Sequence, residues 1–346
     1  MAAITSSTTT KRSFFNVHTV GIIGMALVAV IAMVYFILRP QQATAVYAST
    51  LRQSTPLVLG AMCGLVGERS GIINIGIEGQ MLMSAFIAFL VNVYIGNLLV
   101  AVLVGVTTGA LIGLFLAWMS ITLKMDQIIG GTIINMLALG LTSFFYISGL
   151  TTKGKLQPIP LGPLADIPLI GPVLFNNAPI TYPHHFPRFL LQFALFRTVW
   201  GLRTRAVGEH PSAADTVGIR VNVTRYVNTT LAGAFAGLAG AYLTLEAVGS
   251  FERGMTNGRG FIALAVMIFG KWTPLGSWGA ALLFGLASAV QTQFQFLGLD
   301  FIPHQFVGML PYVLTIIVLA GFGGRSGHRQ QRARFTIRNR ERGQKA

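Results

Sequence analysis

The amino-acid sequence predicts an all-α, polytopic membrane protein of about ten transmembrane helices, some of them broken, with both termini cytoplasmic. Three observations carry this. The chain is 53% hydrophobic and only 10% charged over 346 residues, whereas a soluble domain carries about 25% charged residues. Its 40 glycines suit membrane helices, where small residues let backbones approach. Finally, Gly67–Gln80 sets Glu68, Arg69, Asn74, Glu78 and Gln80 among glycines inside apolar sequence. A charge at the bilayer centre costs at least ~2.5 kcal/mol, and glycine-interrupted apolar segments mark discontinuous helices.

A spanning helix takes ~20 apolar residues. At that length the segments are Val20–Leu38, Pro56–Val66, Ile72–Tyr94, Leu98–Leu123, Ile128–Leu150, Ile180–Val199, Tyr226–Val248, Gly260–Gly270, Leu275–Phe296 and Phe306–Phe322. Val20–Leu38 ends at Arg39-Pro40 with no small-residue cleavage site, so it is read as a retained helix rather than a signal peptide. Pro56–Val66 and Gly260–Gly270 are short and glycine-flanked. Such a pair in the two halves of a chain points to a central site; the other reading makes each the middle of a full helix.

Orientation follows from Lys and Arg. With the N-terminus inside, the cytoplasmic set is Lys11, Arg12, Arg69, Lys124, Arg197, Arg203, Arg205, Arg220, Arg225, Lys271 and the tail. It outnumbers the external set of Arg39, Arg52, Lys153, Lys155, Arg188, Arg253 and Arg259. The organisation expected is a cytoplasmic segment 1–19, a membrane domain 20–324 and a basic cytoplasmic tail 325–346. Within the membrane domain lie a proline-rich external loop, 151–177, and an internal loop, 201–224. The net charge of +15 follows this topology, so it argues for membrane lipid and against nucleic acid as the partner of the tail.

Enzyme chemistry has no support. There is no phosphate-cradling G-x-x-x-x-G-K-[ST] motif, no His/Cys set at metal-ligand spacing and no nucleophile elbow. Cys63 is the one cysteine, which excludes an internal disulfide and a paired-cysteine metal site. Neither a catalytic residue nor a metal is expected.

The internal loop is the second informative element. Pro211 suits the first turn of a helix, Ser212, Ala213, Ala214 and Asp215 continue it, and Gly218 is a natural stop. The reading is a two-turn helix parallel to the membrane, jointed at Gly208 and Gly218, that transmits a partner's motion; the alternative is an ordinary solvated loop.

Thr55-Pro56-Leu57 leading into Glu68–Met81 resembles the permease subunits of binding-protein-dependent ABC importers of the ribose/branched-chain amino acid superfamily, nucleoside-type branch. Gly201–Pro211, Gly258–Ala265, Phe269-Gly270-Lys271-Trp272 and Met309–Thr315 resemble the same family in the same order. The resemblance implies an importer in the bacterial cytoplasmic (inner) membrane, with nucleosides as cargo and a simple sugar next. Its partners would be a second permease (as homo- or heterodimer), a cytoplasmic ABC ATPase and an extracytoplasmic substrate-binding lipoprotein. This chain would hold no cofactor, ATP and Mg being used by the ATPase. The ATPase-docking loop would comprise Arg203, Arg205, Gly208, Glu209, His210, Pro211, Ala213, Ala214, Asp215 and Gly218. Pro183–Arg188 departs from the apolar half-helix of the family, and a distorted or interfacial start to that helix is expected.

The resemblance does not locate the route of the cargo. The physical candidates are the polar groups within spans: Asn74, Glu78, Gln80, Gln127, Asn135, Glu246 and Asn257. Each could instead bond helix to helix. Asn74 and Glu78 are four apart and are expected to meet on one helical face. Gly233, Gly237 and Gly240 suggest a packing face. Phe144, Phe145 and Tyr146 could stack on a base or form an interfacial belt. A rival function, an ion-coupled secondary transporter of a small polar solute, would couple through Glu78 and Glu246.

Overall fold

The structure is a computed structural model. It describes residues 39–167, 170–182, 186–296 and 309. Contacts divide the chain into two units, and the helix bundle belongs to the larger, Ala45–Phe322. The helices are α1 (Pro40–Arg69), α2 (Ile77–Ile95), α3 (Leu98–Ala117), α4 (Gln127–Phe144), α5 (Ile170–Leu174), α6 (Phe186–Arg197), α7 (Val199–Glu209), α8 (Pro211–Thr216), α9 (Val221–Ala241), α10 (Arg259–Phe269) and α11 (Pro274–Phe296). Widened π turns extend α3 over Trp118–Thr122 and α9 over Tyr242–Val248. Among the described residues, four helical stretches are long and apolar enough to cross a membrane: Ile77–Ile95, Leu98–Thr122, Gln127–Phe144 and Val221–Val248.

α9 is central and packs on α2 and α3. Its glycine face is the reason. A Cβ at Gly233 would stand 2.2 Å from the Gly109 carbonyl oxygen, and one at Gly240 would stand 2.2 Å from that of Met81. Glycine at Gly105, Gly109 and Gly113 of α3 completes a backbone-to-backbone seam, whose gain is close packing rather than apolar burial, since lipid is as apolar as leucine. The outer faces of α3 and α4 expose Leu103, Leu111, Met136 and Phe144, as a lipid-facing surface requires.

Several segments differ from expectation. Pro56–Val66 is the middle of the thirty-residue α1, so the full-helix reading holds there. Gly260–Gly270 remains a short helix, α10, of 11 residues. Ile72–Tyr94 becomes helical only at Ile77, because Gly71 turns the chain at φ +86°. The span Ile180–Val199 does not run as one helix: Ile180 and Thr181 lie in a turn, and Thr198, extended at φ −115°, separates α6 from α7 while its hydroxyl accepts from the Gly201 amide. The segment 201–224 is therefore mostly helix rather than loop. Within 151–177 a two-residue antiparallel pairing joins Ile159 to Asn177 and Pro160 to Asn176. Val20–Leu38, Phe306–Phe322 apart from Met309, residues 1–19 and the tail 325–346 lie outside the described residues, as does the core of Pro183–Arg188.

Candidate functional site

Three polar assemblies occupy the bundle. The first is a junction between the two broken stretches. Glu78, in the first turn of α2, accepts from the Gly258 amide through Oε1 (2.8 Å) and from the Gly260 amide through Oε2 (2.6 Å). One carboxylate thus caps the N-terminus of α10 from another helix, supplying acceptors to amides that have none within α10. The positive ends of two helix dipoles favour the group there. Glycine is required opposite it, since a Cβ on Gly260 would stand 2.6 Å from the Glu78 Cα.

The other candidates brace the same break. The Asn74 amide nitrogen donates to Gln80 Oε1 (3.0 Å), and Asn74 Oδ1 accepts from the Gly76 amide (3.0 Å). The expected Asn74–Glu78 pair does not form, because residue 74 precedes the helix and faces Gln80. Asn135 on α4 accepts from the Gly79 amide (2.7 Å) and donates to the Ile75 carbonyl (3.1 Å). Gln127 accepts from the Ile73 amide (2.7 Å). Asn257 is exposed, at φ +44°, just before α10. Glu246 bonds to none of these and lies instead in the cavity lining, with Arg259.

The second assembly lies where α1 ends. Arg69 donates twice to the Trp272 carbonyl oxygen (2.6 and 3.1 Å), and the Trp272 indole donates to Glu68 (2.5 Å). The Glu68 carboxyl, beyond the apolar part of α1, is pushed above its ordinary range by burial, and the indole bond holds it back. Phe196 of α6 lies under the guanidinium groups of both Arg69 and Arg205, 5.6 and 5.1 Å from its ring centre. Gly208 presses on this point from α7: a Cβ there would stand 2.3 Å from the Arg69 carbonyl oxygen. Gly208 is thus a contact inside a helix and not the joint expected. α8 follows directly, begun by Pro211 and ended by Gly218 at φ +83°, as the residues predicted. Ala214 is its buried anchor, and Ser212, Ala213, Asp215 and Val217 are exposed, with Arg203, Glu209 and His210 beside them. Arg205 is half-buried on Phe196.

The third assembly, which sequence reasoning missed, is a cavity of about 630 Å³ between α1, the π turn of α9 and the segments around 156 and 180. Its polar lining includes Arg52, Gln53, Lys155, Tyr242, Glu246 and Arg259. The volume falls in the ~300–1,000 Å³ range of small-molecule sites. Glu246 is spoken for: Oε2 accepts from the Ile180 amide (2.6 Å), and Oε1 accepts from the amide and hydroxyl of Thr181. Phe144 and Phe145 are exposed and do not line the cavity, while Tyr146 lies under Arg253 at 4.9 Å. Pro56 at the wall was the available signal; the π turn, of a kind that frequents functional sites, shows only in the structure.

Apolar helices whose two broken stretches meet at a carboxylate, with a short helix displayed at one end, describe a membrane transport component. The comparison with known families makes this specific: the chain belongs to the branched-chain amino acid transport system / permease component family, which matches residues 46–319. It is 40% identical over 293 residues to the guanosine ABC transporter permease protein NupQ of Bacillus subtilis, covering 80% of this chain and 92% of that one. It is 37% identical over 296 residues to the nucleoside ABC transporter permease protein NupC of Lactococcus lactis, covering 81% and 93%. A second guanosine permease of Bacillus subtilis, NupP, is 28% identical over 256 residues, covering 68% and 70%.

Proposed function

We propose that this permease moves nucleosides inward through the cytoplasmic membrane, with a separate ATPase supplying the energy. The observation that carries the cargo is the identity of 40% and 37%, along nearly the whole of each relative, to permeases named for guanosine and nucleosides. ATP and Mg would be used by the ATPase, which seats on α8 and its flanks: Arg203, Arg205, Glu209, His210, Ala213 and Asp215. The exposed face of α8 and its backing by Gly208 on the end of α1 support that role. Both termini and α8 would then face the cytoplasm, and an extracytoplasmic lipoprotein would deliver cargo from the other side. The second permease is a different chain in this reading, because two guanosine permeases of one organism match at 40% and 28%.

The ion-coupled alternative gains nothing from the geometry, since Glu78 and Glu246 are both bonded to backbone amides as structural caps. The test is ATP-dependent uptake of radiolabelled nucleosides by the complex reconstituted in vesicles. Uptake that needs ATP, competes with unlabelled nucleoside and ignores a proton or sodium gradient is expected. Gradient-driven uptake without ATP would overturn the reading.

A further inference from the structure

We propose that the cavity beside Pro56 is the outer vestibule of the permease and that Arg52 selects 6-oxopurine nucleosides there; this rests on the nucleoside reading above. Arg52 lies 17 residues before Arg69 on α1, about 25 Å away at ~1.5 Å per residue. It is therefore near the membrane face opposite α8, where cargo arrives from the lipoprotein.

The lining carries three cationic side chains, Arg52, Lys155 and Arg259, and a single carboxylate. The one carboxylate in it, Glu246, has both oxygens bonded to residues 180 and 181. The Lys155 ammonium is bonded to the Ala247 carbonyl oxygen (2.8 Å), and Arg259 Nη1 to that of Met255 (3.1 Å). The exposed Arg52 guanidinium has no hydrogen-bond partner among the described residues, although it lies within electrostatic range of Glu246 and Tyr242. The vestibule thus offers an open guanidinium fork, while its one carboxylate is already bonded.

An open guanidinium fork recognises a solute that presents two acceptors side by side. A guanidinium fork matches the O6 and N7 pair of guanine, and hypoxanthine has the same pair. Adenine presents an amino donor at position 6, which a guanidinium cannot accept. A single lysine would supply the charge without the fork.

The experiment measures initial uptake of guanosine, inosine and adenosine by the reconstituted complex, with the lipoprotein saturated by each nucleoside so that the rate reports the permease. Faster transport of guanosine and inosine than adenosine is expected. R52Q and R52K should each cut the guanosine-to-adenosine ratio at least about fivefold, leaving the adenosine rate within about twofold. K155Q, in the same cavity but bonded to backbone, should leave the ratio unchanged. An unaltered ratio in R52Q, an equal fall for all three nucleosides, or preferential uptake of guanosine monophosphate would overturn the assignment. If the parent complex moves no nucleoside at all, the cargo reading fails and this one with it, whereas normal nucleoside uptake with an indifferent Arg52 overturns only this one.

Discussion

The Tyr242 hydroxyl donates to the Arg52 carbonyl oxygen at 2.6 Å. That carbonyl is free because Pro56, four residues on, has no amide hydrogen to return. A proline thus opens α1 within the bundle, and a tyrosine from the π turn of α9 closes it again. The carbonyl that the proline frees is thereby bonded, as a membrane interior demands. The cavity sits where the two meet.

Replacing Tyr242 with phenylalanine removes that donor and leaves the Arg52 carbonyl bare. A loss of about 1–3 kcal/mol is expected, read as a lowered melting temperature of the purified permease. A double variant Y242F/P56A, in which the α1 bond can re-form, should recover most of the loss.

Glu78→Gln turns one of two acceptors into a donor facing an amide hydrogen. The charge-assisted bonds to Gly258 and Gly260 should weaken by about 1.5–3 kcal/mol, with lower thermal stability and slower uptake. Proton or sodium dependence should be absent both before and after the substitution. Its appearance in the parent protein would favour a coupled carrier.

Gly109→Ala or Gly233→Ala forces a methyl against a carbonyl oxygen 2.2–2.3 Å from the added Cβ. The α3–α9 seam has to part, at about 1–3 kcal/mol or more. Gly140→Ala, with nothing within 4 Å, should be neutral in the same melting assay.

Ala213→Trp alters the exposed face of α8 alone, whereas Glu209→Lys also reverses a charge that acts on the Arg69 guanidinium at the end of α1. ATP hydrolysis should then run with little nucleoside uptake in both, while melting stays unchanged in Ala213→Trp. Normal uptake in both variants would remove the docking assignment.

Trp272→Phe leaves Glu68 without its indole donor. Trp272 and Lys271 both hold φ +52°, a left-handed conformation that Glu68 and Arg69 brace from α1. Destabilisation of about 1–3 kcal/mol is expected, with hydrolysis and uptake becoming less tightly linked. Arg69→Lys should act in the same direction, because a lysine cannot offer the forked contact.

Local patterns carried far in this chain. Apolar runs marked Leu98–Leu123, Tyr226–Val248 and Leu275–Phe296 to within a few residues, because each is long and its ends are set by neighbouring Asn, Arg or Pro. Pro211 and Gly218 bounded α8 for the same reason: both act through their own backbone. The polar residues of Gly67–Gln80 were also visible as a break, since charge and glycine are costly within a span.

What tertiary structure alone decided is where those polar groups point. Asn74 at spacing four from Glu78 suggested a pair, yet Gly71 and Gly76 keep residue 74 out of the helix, so it meets Gln80 instead. Glu78 finds its partners at Gly258 and Gly260, some 180 residues away, and no periodicity reports such a distance. Gly208 looked like a joint and is a contact, because its role depends on the Arg69 carbonyl across the fold. The sequence by itself determined an apolar helical chain, its breaks and the short helix α8, all properties of neighbours along the backbone. The cavity at Arg52 and the cap at Glu78 exist only when distant segments close on one another.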